Sequence, residues 1–184
     1  AWTVTNTATG MASVTWLLMS WAHTGKPSIV GAATGAVAGL VAITPASGWV
    51  GPMASIIIGI AAGTICYGAI AFKNARKWDD ALDVWGVHGM GGLTGAILTG
   101  TLASPHVWDT GDGIGAWTGT PEGMEQQAIS IIGAAISVGY TFGVTLVIFK
   151  IMDAIWPGGI RVTPKEEEIG IDLAQHGERA YVNE

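Results

Sequence analysis

A series of long, nearly charge-free apolar segments constrains this chain more than any other feature. Five of them lie at about residues 2–22, 29–48, 53–72, 80–103 and 127–152. Each has close to the roughly 20 residues that an α-helix needs to cross about 30 Å of hydrocarbon. None alternates with the period of two that a membrane β-strand requires. The sequence therefore predicts an all-α polytopic membrane protein with five transmembrane helices over residues 1–158 and a polar tail over residues 159–184.

The amino-acid composition agrees with a lipid environment. Hydrophobic residues make up 49% of the chain and charged residues only 12%, about half the charged fraction of an ordinary soluble domain. Buried helices of a large soluble core are the alternative interpretation. Five consecutive spans joined by mostly short links favour the membrane instead. We expect the lipid bilayer as a partner and no nucleic acid.

The basic residues indicate an orientation. They lie after the first span, after the third span or in the tail, at Lys26, Lys73, Arg76, Lys77, Lys150, Arg161, Lys165 and Arg179. Lys and Arg near the ends of spans mark the cytoplasmic side of a membrane. The pattern predicts a cell-membrane protein with a cytoplasmic tail and an outside start at Ala1. Such a start, without a signal peptide or an initiator Met, predicts that upstream segments belong to the same protein.

Glycines recur every four residues in four of the spans. Such spacing leaves a smooth helix face on which neighbouring backbones approach closely. The pattern predicts a tightly packed bundle, and close packing by itself accounts for these glycines, which are Gly31, Gly35 and Gly39, Gly59 and Gly63, Gly91 and Gly95, and Gly139 and Gly143.

His88 is an ionisable residue inside the apolar run "DVWGVHGMGGLTGAILTG". If the helix begins near Asp79, His88 lies about 12 to 14 Å along it, close to the middle of the membrane. An ionisable group at that depth is by default a functional residue that faces the bundle interior or a pore. A neutral imidazole both donates and accepts a hydrogen bond, which suits a path for a small polar molecule or a proton relay. A structural histidine bonded to a carbonyl or hydroxyl group is the alternative.

The remaining chemistry-bearing side chains do not form a site. His23, His106 and His176 fall in links or in the tail, so we expect no metal or heme site and no cofactor. No arrangement of nucleophile and base, or of paired carboxylates, lies at one depth, so we expect no catalytic residues and no enzyme. Trp2 and Trp16 are interpreted as anchors at the membrane interface.

Three stretches resemble the Amt ammonium transporter family. "DVWGVHGMGG" at residues 83–92 is similar to the tenth transmembrane helix of that family, and "GKPSIVGAATGAVAGLVAITPASGWV" at residues 25–50 to the eighth. "GIRVTPKEEEIGIDLAQHGERAY" at residues 159–181 is similar to the cytoplasmic tail of bacterial and archaeal members. The resemblance implies an eleven-helix fold whose first ten helices form two inverted repeats. It places this chain at helices seven to eleven, the C-terminal half.

The resemblance also implies roles for single residues. His88 matches the second of two pore histidines, and Val84 matches a position in the pore wall. Asp80 and Asp83 match carboxylates at the cytoplasmic end of the same helix, where proton transfer and helix capping are both open roles. A regulatory pattern in the tail is carried by Gly170, Asp172, His176, Gly177, Glu178, Ala180 and Tyr181.

The function implied by this resemblance is ammonium transport. Ammonium would be recruited outside and deprotonated, and ammonia and the proton would then pass the histidines of an apolar pore. The family further implies a homotrimer and a PII-type signal protein that docks on the cytoplasmic face. An ammonium-sensing membrane receptor of the same fold is the alternative function.

Overall fold

A computed structural model describes residues 1–107 and 114–179 of the chain. These residues form helices and turns, with no strand among them, which confirms the all-α prediction. The structure divides into two compact units, Ala1–Ile136 and Ser137–Glu184. The units are described separately below.

The described residues of the first unit form four complete helices and the beginning of a fifth: α1 at Trp2–Thr24, α2 at Ile29–Ile43, α3 at Pro52–Ala75, α4 at Met90–Leu102 and α5 at Pro121–Ile155. Short 3₁₀ turns lie at Thr44–Ala46 and Ala116–Thr118, and a π-helical turn at Trp85–Gly89 leads into α4. Local chemistry sets several ends. Gly25, with φ of 76°, terminates α1 in the left-handed region. The Ser28 hydroxyl caps α2 by accepting a hydrogen bond from the Gly31 amide.

Helix α1 packs against both α2 and α3 through small residues. Ala8 and Ala12 are fully buried. A Cβ added to Gly39 of α2, or to Gly59 of α3, would lie 2.6 Å from the Ala8 carbonyl oxygen. A Cβ added to Gly35 would lie 2.8 Å from the Ala12 oxygen. These contacts confirm that glycine faces bring the backbones together here.

Two clusters of buried side chains hold the first unit together. One joins α1, α2 and α3 through Val4, Ala8, Ala12, Ala42, Ile43, Ala46, Val50, Ile58 and Ala62. The other contains Trp16, Ala38, Cys66 and Val87 and lies under the π turn. Trp16 is only 5% exposed, so its interpretation as an interface anchor is wrong, whereas Trp2 is 82% exposed. Glycines on α2 leave room for the Trp16 indole, which then packs edge-on against Tyr67.

Three described helices are long and apolar enough to cross a membrane. They occupy Ile29–Ala46, Pro52–Ala75 and Pro121–Ile155. Helix α1 has 23 residues, but several are Thr, Ser or Asn, and the Thr7 and Thr9 hydroxyls and the Asn6 amide nitrogen donate to carbonyls of the preceding turn. The π turn and α4 form a shorter helical element. For α1 and for this fourth element, the predicted membrane crossing stays a prediction.

The predicted start of the fourth span, at residue 80, is wrong. Residues 79–83 form turns and irregular backbone, and helical structure begins at Val84. Asp83 adopts a left-handed conformation, with φ of 55°, that a helix cannot contain. His88 therefore lies four residues, or about 6 Å, from the start of its helical element instead of about 12 to 14 Å.

The second unit contains the rest of α5, helix α6 at Pro164–Ile169 and a π turn at Asp172–His176. Helix α5 ends at Ile155, before the predicted tail begins. Thr163 and Glu166 form a capping box at the start of α6. Gly139 and Gly143 do not confirm close packing, because a Cβ added to either would meet nothing within 4 Å.

Candidate functional site

Asp80 caps the helical element that carries His88. One carboxylate oxygen accepts a hydrogen bond from the Val84 amide and the other from the Trp85 amide, both at 2.9 Å. These amides would otherwise lack partners at the start of a helix. Both Asp80 carboxylate oxygens are thus engaged at this helix start, and the role of Asp80 in transport stays a prediction.

Lys73 fixes the loop that precedes this element. The side chain is buried, and its Nζ donates a hydrogen bond to the Asp80 carbonyl oxygen at 2.6 Å and pairs with an Asp83 carboxylate oxygen at 2.5 Å. The pair joins the end of α3 to the residue just before Val84. Sequence reasoning used Lys73 only as a marker of orientation and did not predict this ion pair.

Val87 anchors the π turn to the bundle. Its side chain is buried beside Trp16, Ala38 and Cys66, and its carbonyl oxygen lies 3.8 Å from the Cys66 Sγ. π-Helical turns inside α-helices occur frequently at functional sites. Because Val87 faces inward, the next residue, His88, is presented on the outer side of the turn.

His88 lines an apolar recess of about 260 Å³. The other lining residues come from α2 and from the turn segment, and they are Val30, Ala33, Thr34, Val37, Leu82 and Val87. His88 itself is exposed in the described structure. The arrangement places an imidazole, which donates and accepts hydrogen bonds, in surroundings that are otherwise almost entirely aliphatic.

Val84 lies one turn before His88 and is 50% exposed. Among the described residues it does not belong to the lining of the His88 recess.

Next to Val84, the Trp85 ring joins an aromatic cluster with Phe72 and Trp78, in which the ring centroids are 5.2 to 6.5 Å apart. The Arg76 guanidinium stacks over Phe72 at 4.9 Å from its centroid, a cation–π contact.

A second, larger recess of about 460 Å³ lies in the same unit. Its polar lining includes Ser20, His23, Asn74 and Asp83. The His23 Nδ1 is 2.8 Å from the Tyr67 hydroxyl oxygen, and Tyr67 packs edge-on against Trp16 at 5.4 Å between centroids. Sequence analysis assigned His23 to a link and did not predict its pairing with Tyr67.

The tail pattern folds into a compact turn in the second unit. The Asp172 carbonyl oxygen accepts hydrogen bonds from the amides of Gly177 and Glu178. Gly177 has φ of 68°, which favours glycine at this position. His176 ends the π turn. Ala180 and Tyr181 lie outside the described residues.

The Glu166 carboxylate has a lowered pKa. Hydrogen bonds from the Thr163 hydroxyl and from the Thr163 amide stabilise its charged form. Glu166 also lines a recess of about 500 Å³ that includes Trp156, Arg161 and Gln175.

Metal-binding residues do not come together in the ranges 1–107 and 114–179, where no group of three or more His, Cys, Asp or Glu side chains could hold an ion. The described site is therefore built from one imidazole, aliphatic side chains and a hydrogen-bonded helix start.

Comparison with known proteins relates this chain to ammonium transporters. The model of the Ammonium Transporter Family matches residues 1–181. The ammonium transporter Amt1 of Archaeoglobus fulgidus is 42% identical over 178 residues, which are 97% of this chain and 43% of that protein. The chain thus spans about two fifths of the length of the curated relatives that it matches.

Solved structures that are similar to this chain also come from ammonium transporters and a related sensor. The crystal structure of Candida albicans Mep2 has a TM-score of 0.81 at 39% identity and is matched by 94% of this chain, over 38% of its own length. A structure described as a sensor Amt protein has a TM-score of 0.79 at 28% identity, over 94% of this chain and 40% of that protein.

Proposed function

Because this chain belongs to the ammonium transporter family and is a multi-pass, all-α membrane protein, we propose that it supplies the C-terminal half of an eleven-helix protein that moves ammonium across the cell membrane. The observation that carries this proposal is the position of His88. Among the described residues, it is the one ionisable side chain in the lining of an almost entirely aliphatic recess.

Desolvation explains how such a recess discriminates between permeants. Transferring an ammonium ion from water into narrow apolar surroundings carries a large solvation penalty, whereas neutral ammonia carries a much smaller one. The ion therefore gives up its proton before it enters, and ammonia passes His88 by exchanging hydrogen bonds with the imidazole. Potassium has no proton to release, so the same recess excludes it.

Asp80 and Asp83 act in this account as positioning residues. Both Asp80 oxygens bind backbone amides at the start of the helical element, and Asp83 pairs with Lys73. These interactions set the π turn, and through it the orientation of His88. Because both carboxylates already take part in these interactions, they support a role in positioning His88 in preference to a role in proton transfer. Val84 forms part of the pore wall when the remaining helices of the transporter cover it.

The second unit serves regulation in this proposal. The tail is cytoplasmic, the protein assembles as a homotrimer, and a PII-type signal protein docks at the cytoplasmic face. The compact turn formed by Asp172, His176, Gly177 and Glu178 supports a tail that presents a defined surface.

A receptor that senses ammonium is the second candidate. The similarity to a sensor Amt protein favours it, although the identity of 28% is lower than the 42% shared with the archaeal transporter. In a receptor, ammonium binding would change the state of a partner without net uptake.

Uptake of labelled methylammonium separates the two functions. The full-length protein that carries this sequence is reconstituted in vesicles, and uptake is compared with that of empty vesicles. Saturable uptake that ammonium inhibits supports transport. Binding of the label without accumulation would support the receptor and contradict the proposal.

A further inference from the structure

The His88 recess shares two lining residues with the larger recess that contains His23. Val30 and Thr34 line both of them. The smaller recess is aliphatic around His88, whereas the larger contains hydroxyl, amide and carboxylate groups. A small molecule that leaves His88 past Val30 and Thr34 therefore moves from apolar to polar surroundings.

His23 and Tyr67 form a hydrogen-bonded pair in the larger recess. The His23 Nδ1 lies 2.8 Å from the Tyr67 hydroxyl oxygen, and the two rings are edge-on with centroids 5.9 Å apart. Tyr67 is held in turn by the buried Trp16 ring. His23 itself remains exposed. The imidazole is thus fixed at one nitrogen, while its surroundings stay accessible to water and small molecules.

This hydrogen bond survives a change of charge on His23. When the imidazole is neutral with its single proton on Nδ1, Nδ1–H donates the hydrogen bond to the Tyr67 hydroxyl oxygen. When it is an imidazolium ion, Nδ1–H still donates to the Tyr67 oxygen, because a phenol hydroxyl both donates and accepts. The second nitrogen, Nε2, gains and loses the proton in this scheme while Tyr67 keeps the ring in place.

The other ionisable groups at the recess have different roles. The ionisable lining residues are His23, Tyr67 and Asp83. Asp83 is engaged by Lys73, and the Tyr67 hydroxyl is engaged by His23. Lys26 is the nearest charged residue along the chain, in the link after α1. His23 is therefore the lining group of the residue type that serves as a proton shuttle in proteins.

We infer that the His23–Tyr67 pair is a proton-exchange site at the end of the ammonia route. This inference rests on the proposed function. Ammonia arriving from the His88 recess takes the Nε2 proton of the His23 imidazolium, so an N–H bond of the ring breaks and an N–H bond of ammonium forms. The neutral imidazole then regains a proton from hydronium in the water of the recess. Ammonium, once formed, is solvated by the polar lining and leaves.

A purely structural pair is the competing explanation. In that case the hydrogen bond only ties the end of α1 to α3, and its loss lowers stability or total flux at every pH alike. Proton exchange differs because the protonation state of His23 enters the transport rate. The pH dependence of transport distinguishes the two explanations.

The test uses the full-length protein in proteoliposomes. Ammonium-dependent current or flux is measured while the pH is varied between about 6 and 8 on the side where Lys73 lies. The variants are His23→Gln, which keeps polarity but cannot titrate, and Tyr67→Phe, which removes the partner. Lys26→Gln is the control, because it removes a neighbouring charge outside the recess lining.

We expect His23→Gln to lose one titration step from the pH profile, Tyr67→Phe to shift its midpoint, and Lys26→Gln to keep the wild-type profile. A wild-type profile in His23→Gln, whatever the total flux, would overturn the inference. If His23→Gln does not assemble, an unshifted midpoint in Tyr67→Phe would overturn it instead. Failure of the wild-type protein to move ammonium would contradict the proposed function itself, whereas transport with an unchanged His23→Gln profile contradicts this inference alone.

Discussion

Lys73 and Asp83 form an ion pair in which the lysine side chain is only 6% exposed while the aspartate is 32% exposed. The lysine also donates to the Asp80 carbonyl oxygen. One buried ammonium group therefore ties the end of α3 to Asp80 and Asp83, which precede the His88 turn. A charge this well buried requires its partners, because an ammonium group without them would be strongly disfavoured.

Replacing Lys73 with Met tests this relationship. The variant keeps the aliphatic stem but leaves the Asp83 carboxylate and the Asp80 carbonyl without their donor. We expect a loss of about 1 to 3 kcal/mol of stability, below the value for a fully buried pair because Asp83 is partly solvated. Thermal unfolding of the detergent-solubilised full-length protein measures this loss of stability. Lys26→Met, which removes an exposed lysine, should have little effect, and equal stability of the two variants would refute the structural role of Lys73.

Two glycines of α3 provide a matched test of helix packing. A Cβ at Gly59 would lie 2.6 Å from the Ala8 oxygen of α1, whereas a Cβ at Gly68 would meet nothing within 4 Å. We expect Gly59→Ala to destabilise the protein by about 1 to 3 kcal/mol through overpacking. Gly68→Ala should be neutral or slightly stabilising, because alanine favours a helix over glycine. The order of their unfolding temperatures checks the packing, and a reversed order would contradict it.

The capping box of α6 should respond to pH. Hydrogen bonds from Thr163 lower the pKa of Glu166 in the folded tail. A group with a lowered folded pKa contributes stability above its unfolded pKa, and this contribution is lost as the pH falls through the folded pKa. We expect Thr163→Ala to raise the Glu166 pKa toward its ordinary value, as followed by NMR of a labelled Glu166 carboxyl, whereas Thr163→Ser should retain the lowered value. The same Glu166 pKa in Thr163→Ala and wild type would show that Thr163 is not the cause.

The orientation of the chain is testable by thiol labelling. All eight basic residues fall on one predicted face, so the Lys165 side should be cytoplasmic and the Glu122 side external. In a Cys66→Ser background, we expect Glu122→Cys to react with a membrane-impermeant thiol reagent applied outside intact cells and Lys165→Cys to react only after permeabilisation. Labelling in the opposite pattern would invert the topology and move the proposed PII surface outside the cell.

Hydropathy predicts much of this fold because three helices are uniformly apolar. The positions of α2, α3 and α5 follow from run length alone, although α5 extends beyond both ends of its predicted span. The helical element formed by the π turn and α4 was predicted less well. Its start depends on the capping of two amides by Asp80 and on a left-handed Asp83, and neither is visible in hydropathy.

A site residue could be predicted only where the sequence around it contains a recognisable pattern. His88 is recognisable from its apolar context and from the family resemblance. The His23–Tyr67 contact joins residues 44 positions apart, and nothing in either local sequence signals it. The prediction for Trp16 was wrong because a tryptophan near a helix end usually marks the membrane interface, whereas in the fold this ring packs against glycines of α2 and against Tyr67.

The most direct test of the central claim is ammonium transport by His88→Ala in the full-length protein, with His106→Ala as a matched histidine control. We expect His88→Ala to change ammonium flux by about fivefold or more, or to lose discrimination against potassium, because removal of one hydrogen-bonding group from the route removes about 1 kcal/mol of stabilisation. The His106 variant should transport like the wild type. Unchanged flux together with unchanged potassium exclusion in His88→Ala would contradict a pore that depends on this histidine.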